Sequence, residues 1–216
     1  MDQIAAEPRA VPLALRLATT AFVAVLVPVY AAHYGFWHFL WLSDVGLFLT
    51  LAALWLRSRL LISMMGIGLL PLELYWNLEF LLGLLAGIEL AGLAGYMFDD
   101  DYGLLLRGLS LFHVALPPIW IWLLHRWRYD PRALWRQTAL LWGIVLATWA
   151  FTDPQQNINW VWTAEKHLDR FPQPLWVLAY ALVLPLAVHW PMHALLQRVV
   201  PMRRLSSDTL ATGSDR

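Results

Sequence analysis

Residues 109–124 read LSLFHVALPPIWIWLL, and this stretch decides the fold. It is apolar almost throughout and approaches the ~20 residues that a helix needs to cross a bilayer. Its two prolines, Pro117 and Pro118, are of a kind that membrane helices tolerate. One ionisable side chain, His113, interrupts the run. The stretch therefore predicts a membrane helix that carries an imidazole, and it raises the question of what this imidazole faces.

The composition of the whole chain agrees with a membrane protein. Of its 216 residues, 60% are hydrophobic and only 14% are charged, whereas soluble domains have about 25% charged residues. Many of the 14 Trp residues lie near the ends of apolar runs, as in the aromatic belts of membrane proteins. This apolar composition leads us to expect membrane lipids as partners. The formal net charge is zero, so we expect no nucleic acid as a partner.

Several classes of site are excluded or receive no support. The chain has no Cys, which excludes disulfides, thiolate metal sites and Cys nucleophiles. It contains no G-x-S-x-G, no H-E-x-x-H and no phosphate-binding glycine loop. No metal ligand is assigned from the sequence, which does not identify a cofactor or a protein partner.

Apolar runs of similar length recur along the chain without the alternation that is typical of strands. They predict an all-α polytopic membrane protein with about six transmembrane helices. Residues 1–204 are expected to form a single helical membrane domain, and residues 205–216 a disordered cytoplasmic tail. Residues 81–103 are expected to continue the third helix and then to form a re-entrant or interfacial segment. The six spans are predicted near residues 13–32, 39–56, 60–80, 104–124, 134–151 and 175–196.

The positions of Lys and Arg predict the topology. With six spans, twelve of these residues fall on one side of the membrane and three on the other. The positive-inside rule then gives both termini in the cytoplasm of a multi-pass protein, which we assign to a bacterial inner membrane. The first span could be a cleaved signal peptide. Asp2 and Glu7 oppose the basic leader that such a peptide needs, so an uncleaved helix is favoured.

Polar side chains on separate segments fall in one outer layer of this predicted bundle. Ionisable groups cost roughly 2.5–3.5 kcal/mol at the centre of a membrane helix, so they usually face the bundle interior and pair there. Glu73 and Asn77 share one helix face by their spacing. Ser110 and His113 also share a face, and His113 is expected to point at Asp44 or Glu73. The layer consists of His38, Ser43, Asp44, Glu73, Asn77, Ser110, His113, Asn157 and Asn159.

A His beside a carboxylate is the smallest general-base pair. We predict His113 as the base, Asp44 or Glu73 as the group that orients it, and Ser43 as a candidate nucleophile. Apolar surroundings and an outer depth suit an acyl chain and an ester bond near the lipid headgroups. The sequence therefore predicts a lipid or acyl-ester transferase or hydrolase. The asparagine amides could also stabilise an oxyanion. The polar residues predicted to bind substrate are His38, Asn77, Ser110, Asn157 and Asn159.

Other roles for the same residues stay open. The His and carboxylate groups could ligate zinc, manganese or iron, and a non-catalytic lipid-binding or complex-supporting protein needs no reaction at all. The sequence does not decide between enzyme and binding protein. A transporter is disfavoured because no internal repeat is evident. His189 and His193 share a helix face without a third ligand, and Asp99–Asp101 is read as a solvated acidic loop.

Three stretches resemble a known group of proteins: HFLWLSDVGLFL at 38–49, SLFHVALPPIWIWLL at 110–124 and NINWVW at 157–162. They are similar to YwaF-like bacterial integral membrane proteins and related transmembrane acyltransferases. The chain also resembles bacterial proteins described only as membrane-associated. The resemblance implies that Ser43 stands at the nucleophile position and His113 at the later His. It further implies that Asn159 and Trp160 form an Asn–aromatic pair that binds substrate.

Overall fold

The computed structural model describes residues 10–163 and 171–200, and within these ranges every regular element is helical. The predicted disordered tail, residues 205–216, lies outside the described residues. Short 3₁₀ turns span Phe36–Leu40, Gly95–Phe98 and Ile158–Trp160, and a π turn spans Pro185–His189. The α-helices are α1 Leu13–Tyr34, α2 Leu42–Leu56, α3 Arg59–Gly68, α4 Leu70–Ala86, α5 Leu104–Ser110, α6 Phe112–Trp127, α7 Ala133–Phe151, α8 Gln173–Leu184 and α9 Trp190–Val199.

Three helical stretches are long and apolar enough to cross a membrane: α1, Leu104–Trp127 and Gln173–Val199. The bent pair α3 and α4 makes a fourth if it counts as one span. The all-α class is therefore confirmed for the described residues, and the long apolar helices are compatible with a membrane protein. The predicted second span forms α2, an apolar helix of only 15 residues, and α7 is not among the stretches that meet both criteria. The count of six spans stays a prediction.

The axis bends by 53° between α3 and α4. The cause is local, because Pro71 at the start of α4 has no N–H with which to bond the carbonyl of residue 67. The bend sends α4 toward α6, against which it packs. The predicted third span is thus a helix in two segments, and its second segment, α4, carries Glu73 and Asn77.

The first segment of this pair, α3, is the centre of the bundle. Every residue from Ile62 to Gly68 is buried, and α3 packs against α2, α6, α7 and α9. Such close packing depends on small residues, as is usual between membrane helices. A Cβ atom at Gly68 would collide with the side chain of Gln137 on α7.

Residues 87–103, named here the cap segment, fold back over α4. As predicted, the third helix continues past residue 81, and it ends at Ala86 where Gly87 adopts the left-handed conformation with φ of +65°. The cap segment then forms turns and one 3₁₀ turn in place of a membrane helix. Ala94 and Met97 of this segment pack against Trp76 of α4.

The cap segment is fastened by Glu79. This carboxylate is only 2% exposed and accepts hydrogen bonds from the backbone N–H groups of Ala91, Gly92 and Leu93. Three donors satisfy a buried carboxylate that the membrane would otherwise disfavour. Glu79 is therefore a structural residue that holds the cap segment against the end of α4.

The loop between α6 and α7 is fixed by Asp130. Its carboxylate accepts hydrogen bonds from Arg132 Nε at 3.1 Å and Nη2 at 2.8 Å and lies 3.6 Å from Arg59 Nη2 at the start of α3. Burial raises the pKa of Asp130, but the Arg132 hydrogen bonds and the charges of both arginines outweigh burial and lower it below 3.8. The ionised carboxylate thus links the α6–α7 loop to the central helix.

Asp130→Asn is expected to lower the unfolding free energy at pH 7 by roughly 1–2 kcal/mol, because the arginines lose their charged partner. The folded pKa is lowered, so this stabilisation is complete above the ordinary pKa and is lost as the pH falls through the folded value. Thermal unfolding of the detergent-purified protein should therefore show a difference between wild type and variant that narrows as the pH falls below 3.8. Asp100→Asn, at an exposed carboxylate, is the control. A difference that does not change with pH contradicts the charge-based origin.

Candidate functional site

One cavity of about 660 Å³ lies where α1, α2, α4, α6, the cap segment and the loop after α7 meet. Its volume falls within the roughly 300–1,000 Å³ of small-molecule sites. Of the ten residues that the sequence analysis assigned to catalysis or substrate binding, all but Asn77 line it. The structure thus brings together polar groups that the sequence places on separate segments. The predicted residues in its wall are His38, Ser43, Asp44, Glu73, Ser110, His113, Asn157, Asn159 and Trp160.

The imidazole of His113 faces Glu73. Its Nδ1 lies 2.6 Å from Glu73 Oε2, and the two side chains are 12% and 5% exposed. The ring stacks on Trp76 with centroids 4.4 Å apart and planes at 15°. An ionised carboxylate can only accept, so Nδ1–H donates and Nε2 is left as the basic nitrogen. Nε2 has no hydrogen-bond partner within the described ranges, and the ring lines the cavity.

Asn77 supports this pair through hydrogen bonds to the backbone, and Pro117 makes one of these bonds possible. Pro117 has no N–H, so the carbonyl of His113, four residues earlier, has no helical donor. Asn77 Nδ2 donates to this carbonyl at 2.8 Å and to the carbonyl of Glu73 at 2.7 Å. The amide therefore ties α4 to α6 at the level of the pair. The substrate-binding role predicted for Asn77 stays a prediction, and its observed contacts are structural.

Asp44, the other carboxylate considered for His113, lies in a different environment. It occupies the first turn of α2 and is 2% exposed. Its Oδ1 is buried without a hydrogen-bond partner. Its Oδ2 lies 3.8 Å from His38 Nε2, which is too long for a hydrogen bond. Asp44 is therefore a second acidic point of the cavity wall, and Glu73 is the carboxylate that orients His113.

His38 lies on the 3₁₀ turn between α1 and α2, stacked on Tyr34 with centroids 4.2 Å apart and planes at 12°. Burial lowers the pKa of His38 to about 4, and the charge of His33 adds to this shift. The ring is therefore neutral at pH 7 and offers no positive charge to Asp44. Its predicted substrate-binding role is compatible with its place in the wall and stays a prediction.

The two serines of the cavity differ in their bonding. Ser110 Oγ donates to the carbonyl of Leu106 at 3.1 Å and accepts from the Tyr30 hydroxyl at 2.8 Å. Ser43 lines the cavity, and within the described residues it has no hydrogen bond to His113. A serine nucleophile is normally activated by direct contact with its base. The nucleophile role of Ser43 therefore stays a prediction that no observed contact supports.

The loop after α7 is fastened by its asparagine amides. Asn159 accepts from the N–H of Leu42 at 2.9 Å and donates to the carbonyl of Leu40 at 2.8 Å, which ties the loop to the start of α2. Asn157 accepts from the N–H of Trp162 at 2.8 Å and donates to Thr163. Both side chains are thus used to shape the wall. Their predicted part in oxyanion binding stays a prediction.

The same loop has an unusual backbone. Asn157, Asn159 and Trp160 all adopt positive φ, between 45° and 54°. Asn tolerates this conformation, whereas Trp rarely adopts it. Strained backbone of this kind persists only where its surroundings hold it, as the Asn159 bonds do here. It presents Trp160, which is 42% exposed, edge-on to Trp41 at 5.4 Å.

Tyrosines form a large part of the wall, and the sequence analysis did not identify them. Tyr30 and Tyr34 are four residues apart at the C-terminal end of α1, so helical spacing near the predicted polar layer could have indicated them. Tyr96 and Tyr102 belong to the cap segment, whose position depends on the Glu79 contacts. The tyrosines that line the cavity are Tyr30, Tyr34, Tyr75, Tyr96, Tyr102 and Tyr180.

Metal ligation has no geometric support in the described ranges, where no three His, Asp or Glu side chains are close enough to hold an ion. His189 and His193 have separate partners, because the first contacts Thr138 at 3.1 Å and the second Tyr129 at 2.6 Å. In the acidic loop, Asp99 accepts a hydrogen bond from the backbone N–H of Asp101. These contacts explain both groups structurally.

Comparisons with known proteins assign no family. No family model matches the chain, and no curated protein or solved structure matches it either. The resemblance drawn from short stretches of sequence is therefore untested, and any function must be argued from the cavity itself.

Asn77→Leu is expected to destabilise the protein by about 1–3 kcal/mol, because the His113 carbonyl then lies buried without a donor. Pro117→Ala supplies a backbone N–H at the correct position, so the double variant should recover most of the loss. Thermal unfolding of the wild type, both single variants and the double variant measures this coupling. If Asn77→Leu lowers the unfolding free energy by the same amount in the wild type and in the Pro117→Ala variant, the explanation is contradicted.

Proposed function

We propose that this protein is an intramembrane enzyme that transfers or hydrolyses the acyl group of a lipid or other amphipathic ester. One observation carries the proposal: the His113–Glu73 pair leaves Nε2 as a base on the wall of an aromatic cavity between apolar helices. The cavity has room for a headgroup or an ester bond, and the surrounding helices are apolar enough to accept acyl chains.

The reaction follows from the position of one proton. His113 Nε2 accepts the proton of a water molecule or of an acceptor hydroxyl, whose oxygen attacks the ester carbonyl carbon. Glu73 accepts the Nδ1–H hydrogen bond and stabilises the imidazolium that forms. The tetrahedral intermediate collapses with cleavage of the acyl carbon–oxygen bond, and the leaving oxygen takes the proton from Nε2. The acyl group thereby passes to the attacking oxygen.

The oxyanion of this intermediate needs hydrogen-bond donors on the cavity wall. Tyr34 and Tyr102 are candidates, because both line the cavity and their hydroxyls make no hydrogen bond to the described residues. The serines and asparagines are engaged elsewhere or lack contact with His113. A water molecule or a second substrate is therefore the favoured attacking group, in preference to an acyl-serine step at Ser43.

The membrane setting belongs to the same proposal. We infer six spans in a bacterial inner membrane with both termini in the cytoplasm. Arg59, Asp130 and Arg132 cluster at the start of α3, whereas Leu69 and Leu72, beyond the end of α3, line the cavity. The cavity therefore lies at the end of the bundle opposite this arginine-rich loop. Under the positive-inside rule it opens to the outer side.

Reporter fusions test this topology. Alkaline phosphatase, which is active only outside the cytoplasm, is expected to be active when fused after Asp101 or Asp153. It should be inactive when fused after Ser58 or Arg128, where a fluorescent-protein fusion should instead be bright. If fusions after Asp101 and Arg128 report the same side, the six-span arrangement is wrong.

A second candidate, a lipid-binding protein without catalytic activity, is favoured by one observation. The polar side chains of the cavity other than His113 and Glu73 mainly fasten its wall, and no serine within the described residues contacts His113. A binding protein would keep the cavity and its apolar surroundings and would not depend on Nε2.

Variants at His113 separate the two candidates. His113→Ala is expected to lower kcat for ester cleavage by about 10²–10⁴-fold while ligand binding persists, because only the proton transfer is lost. Glu73→Gln should give a smaller loss, since the ring is still held. Turnover can be followed by chromatography of medium-chain acyl esters with purified protein.

His125→Ala is the matched control, because His125 lies exposed on the last turn of the same helix, α6. It should leave turnover unchanged. If no ester is cleaved by the wild type, or if His113→Ala is as active as the wild type, the enzyme proposal fails and the binding candidate replaces it.

A further inference from the structure

The carboxylate of Asp44 is buried, and one of its oxygens has no hydrogen-bond partner. The carboxylate is 2% exposed, and Oδ1 makes no hydrogen bond. The nearest basic group, His38 Nε2, is 3.8 Å from Oδ2 and neutral at pH 7. The positive end of the α2 dipole favours an acid in its first turn, but it does not satisfy Oδ1. A buried and unpaired carboxylate is costly, and here it lines a cavity, so a bound cation could complete it.

The rings of the wall suit a cation as well. Aromatic faces attract alkylammonium groups, and cages of Trp and Tyr are the usual sites for quaternary ammonium. The cavity has such rings on several elements, including α1, the cap segment and the loop after α7. Four of the rings that line the cavity can take part in such a site: Tyr34, Trp41, Tyr102 and Trp160.

The charge of the wall points the same way. Glu73 already has a hydrogen-bond partner in His113, which leaves Asp44 as the carboxylate of the wall without one. Among the described lining residues there is no Lys or Arg. An anionic headgroup would therefore find no cation to pair with, whereas an ammonium group would give the Asp44 carboxylate the partner that it lacks.

We propose that the cavity selects an amphiphile with an alkylammonium headgroup, which Asp44 and the surrounding aromatic rings hold. This inference rests on the proposed function in one respect: the bound headgroup would present an ester to His113. The binding part stands on Asp44 and the rings and does not require a reaction. It names the substrate class that the general-base pair alone leaves open.

Binding is tested first, with the full chain in dodecyl maltoside and tryptophan fluorescence as the readout. The probes are decyltrimethylammonium and decyldimethylamine oxide, which have the same chain and a similar head but differ in net charge. The wild type is expected to bind the ammonium about tenfold more tightly. Asp44→Asn should reduce this ratio to about one, and Asp101→Asn, at an exposed carboxylate, should leave it unchanged.

Three other outcomes of the binding experiment also test the inference. Asp44→Asn is expected to fold, because the amide keeps the shape of a carboxyl group that makes no hydrogen bond through Oδ1. Should the variant fail to fold, the wild-type ratio for the two probes decides by itself. Equal affinities of the wild type for the two probes overturn the inference. So does tetramethylammonium binding as tightly as the decyl probe, since the ligand would then be a water-soluble amine.

Turnover separates this inference from the proposed function. The two substrates are decanoylcholine and its uncharged isostere, 3,3-dimethylbutyl decanoate. Asp44→Asn should raise KM for decanoylcholine about tenfold with kcat maintained, and His113→Ala should abolish turnover with binding maintained. If the probes bind as expected but no ester is cleaved, the enzyme proposal fails and the ligand class stands. If both esters are cleaved equally well, the ligand class fails and the enzyme proposal stands.

Discussion

The contact between the His113 imidazole and the Glu73 carboxylate is the interaction on which the cavity depends. It joins α4 to α6 through two groups that the membrane interior disfavours singly and accepts as a pair. The pair is possible because two prolines act on the backbone around it. Pro71 bends α3 relative to α4, and Pro117 frees the His113 carbonyl for Asn77. The backbone irregularities at Pro71 and Pro117 thus lie beside the His113–Glu73 pair and help to hold it.

Around this pair, most polar side chains serve the shape of the cavity. Glu79 fastens the cap segment through three backbone N–H groups. Asn159 fastens the loop after α7 to the start of α2. A bilayer provides no alternative partners, so each of these contacts replaces hydrogen bonds that water would have made. Among the described residues of the wall, Nε2 of His113 and Oδ1 of Asp44 have no hydrogen-bond partner, and ligand chemistry can occur at these atoms.

These two groups suggest a division of labour within one cavity. His113 with Glu73 offers a base, and Asp44 with aromatic rings offers a binding point for positive charge. A reactive site in a membrane has to fix an amphiphile whose chains bind without directional preference. A charged anchor at one point can orient the headgroup, so that a bond elsewhere in the ligand meets the base. In the proposed reaction, the absence of an activated serine among the described residues favours water or a second substrate as the attacking group.

The sequence by itself determined the helical class, the membrane character and the collection of polar groups at one end of the bundle, because a bilayer admits helices and confines charges to protected interiors. It also determined that His113 would pair with a carboxylate. Only the tertiary structure decided that Glu73 is that carboxylate and that Asp44 stays unpaired, since the choice depends on the bend before α4. The tyrosines of the cap segment were likewise beyond reach, because the path of that segment depends on long-range contacts to Glu79 that no local pattern encodes.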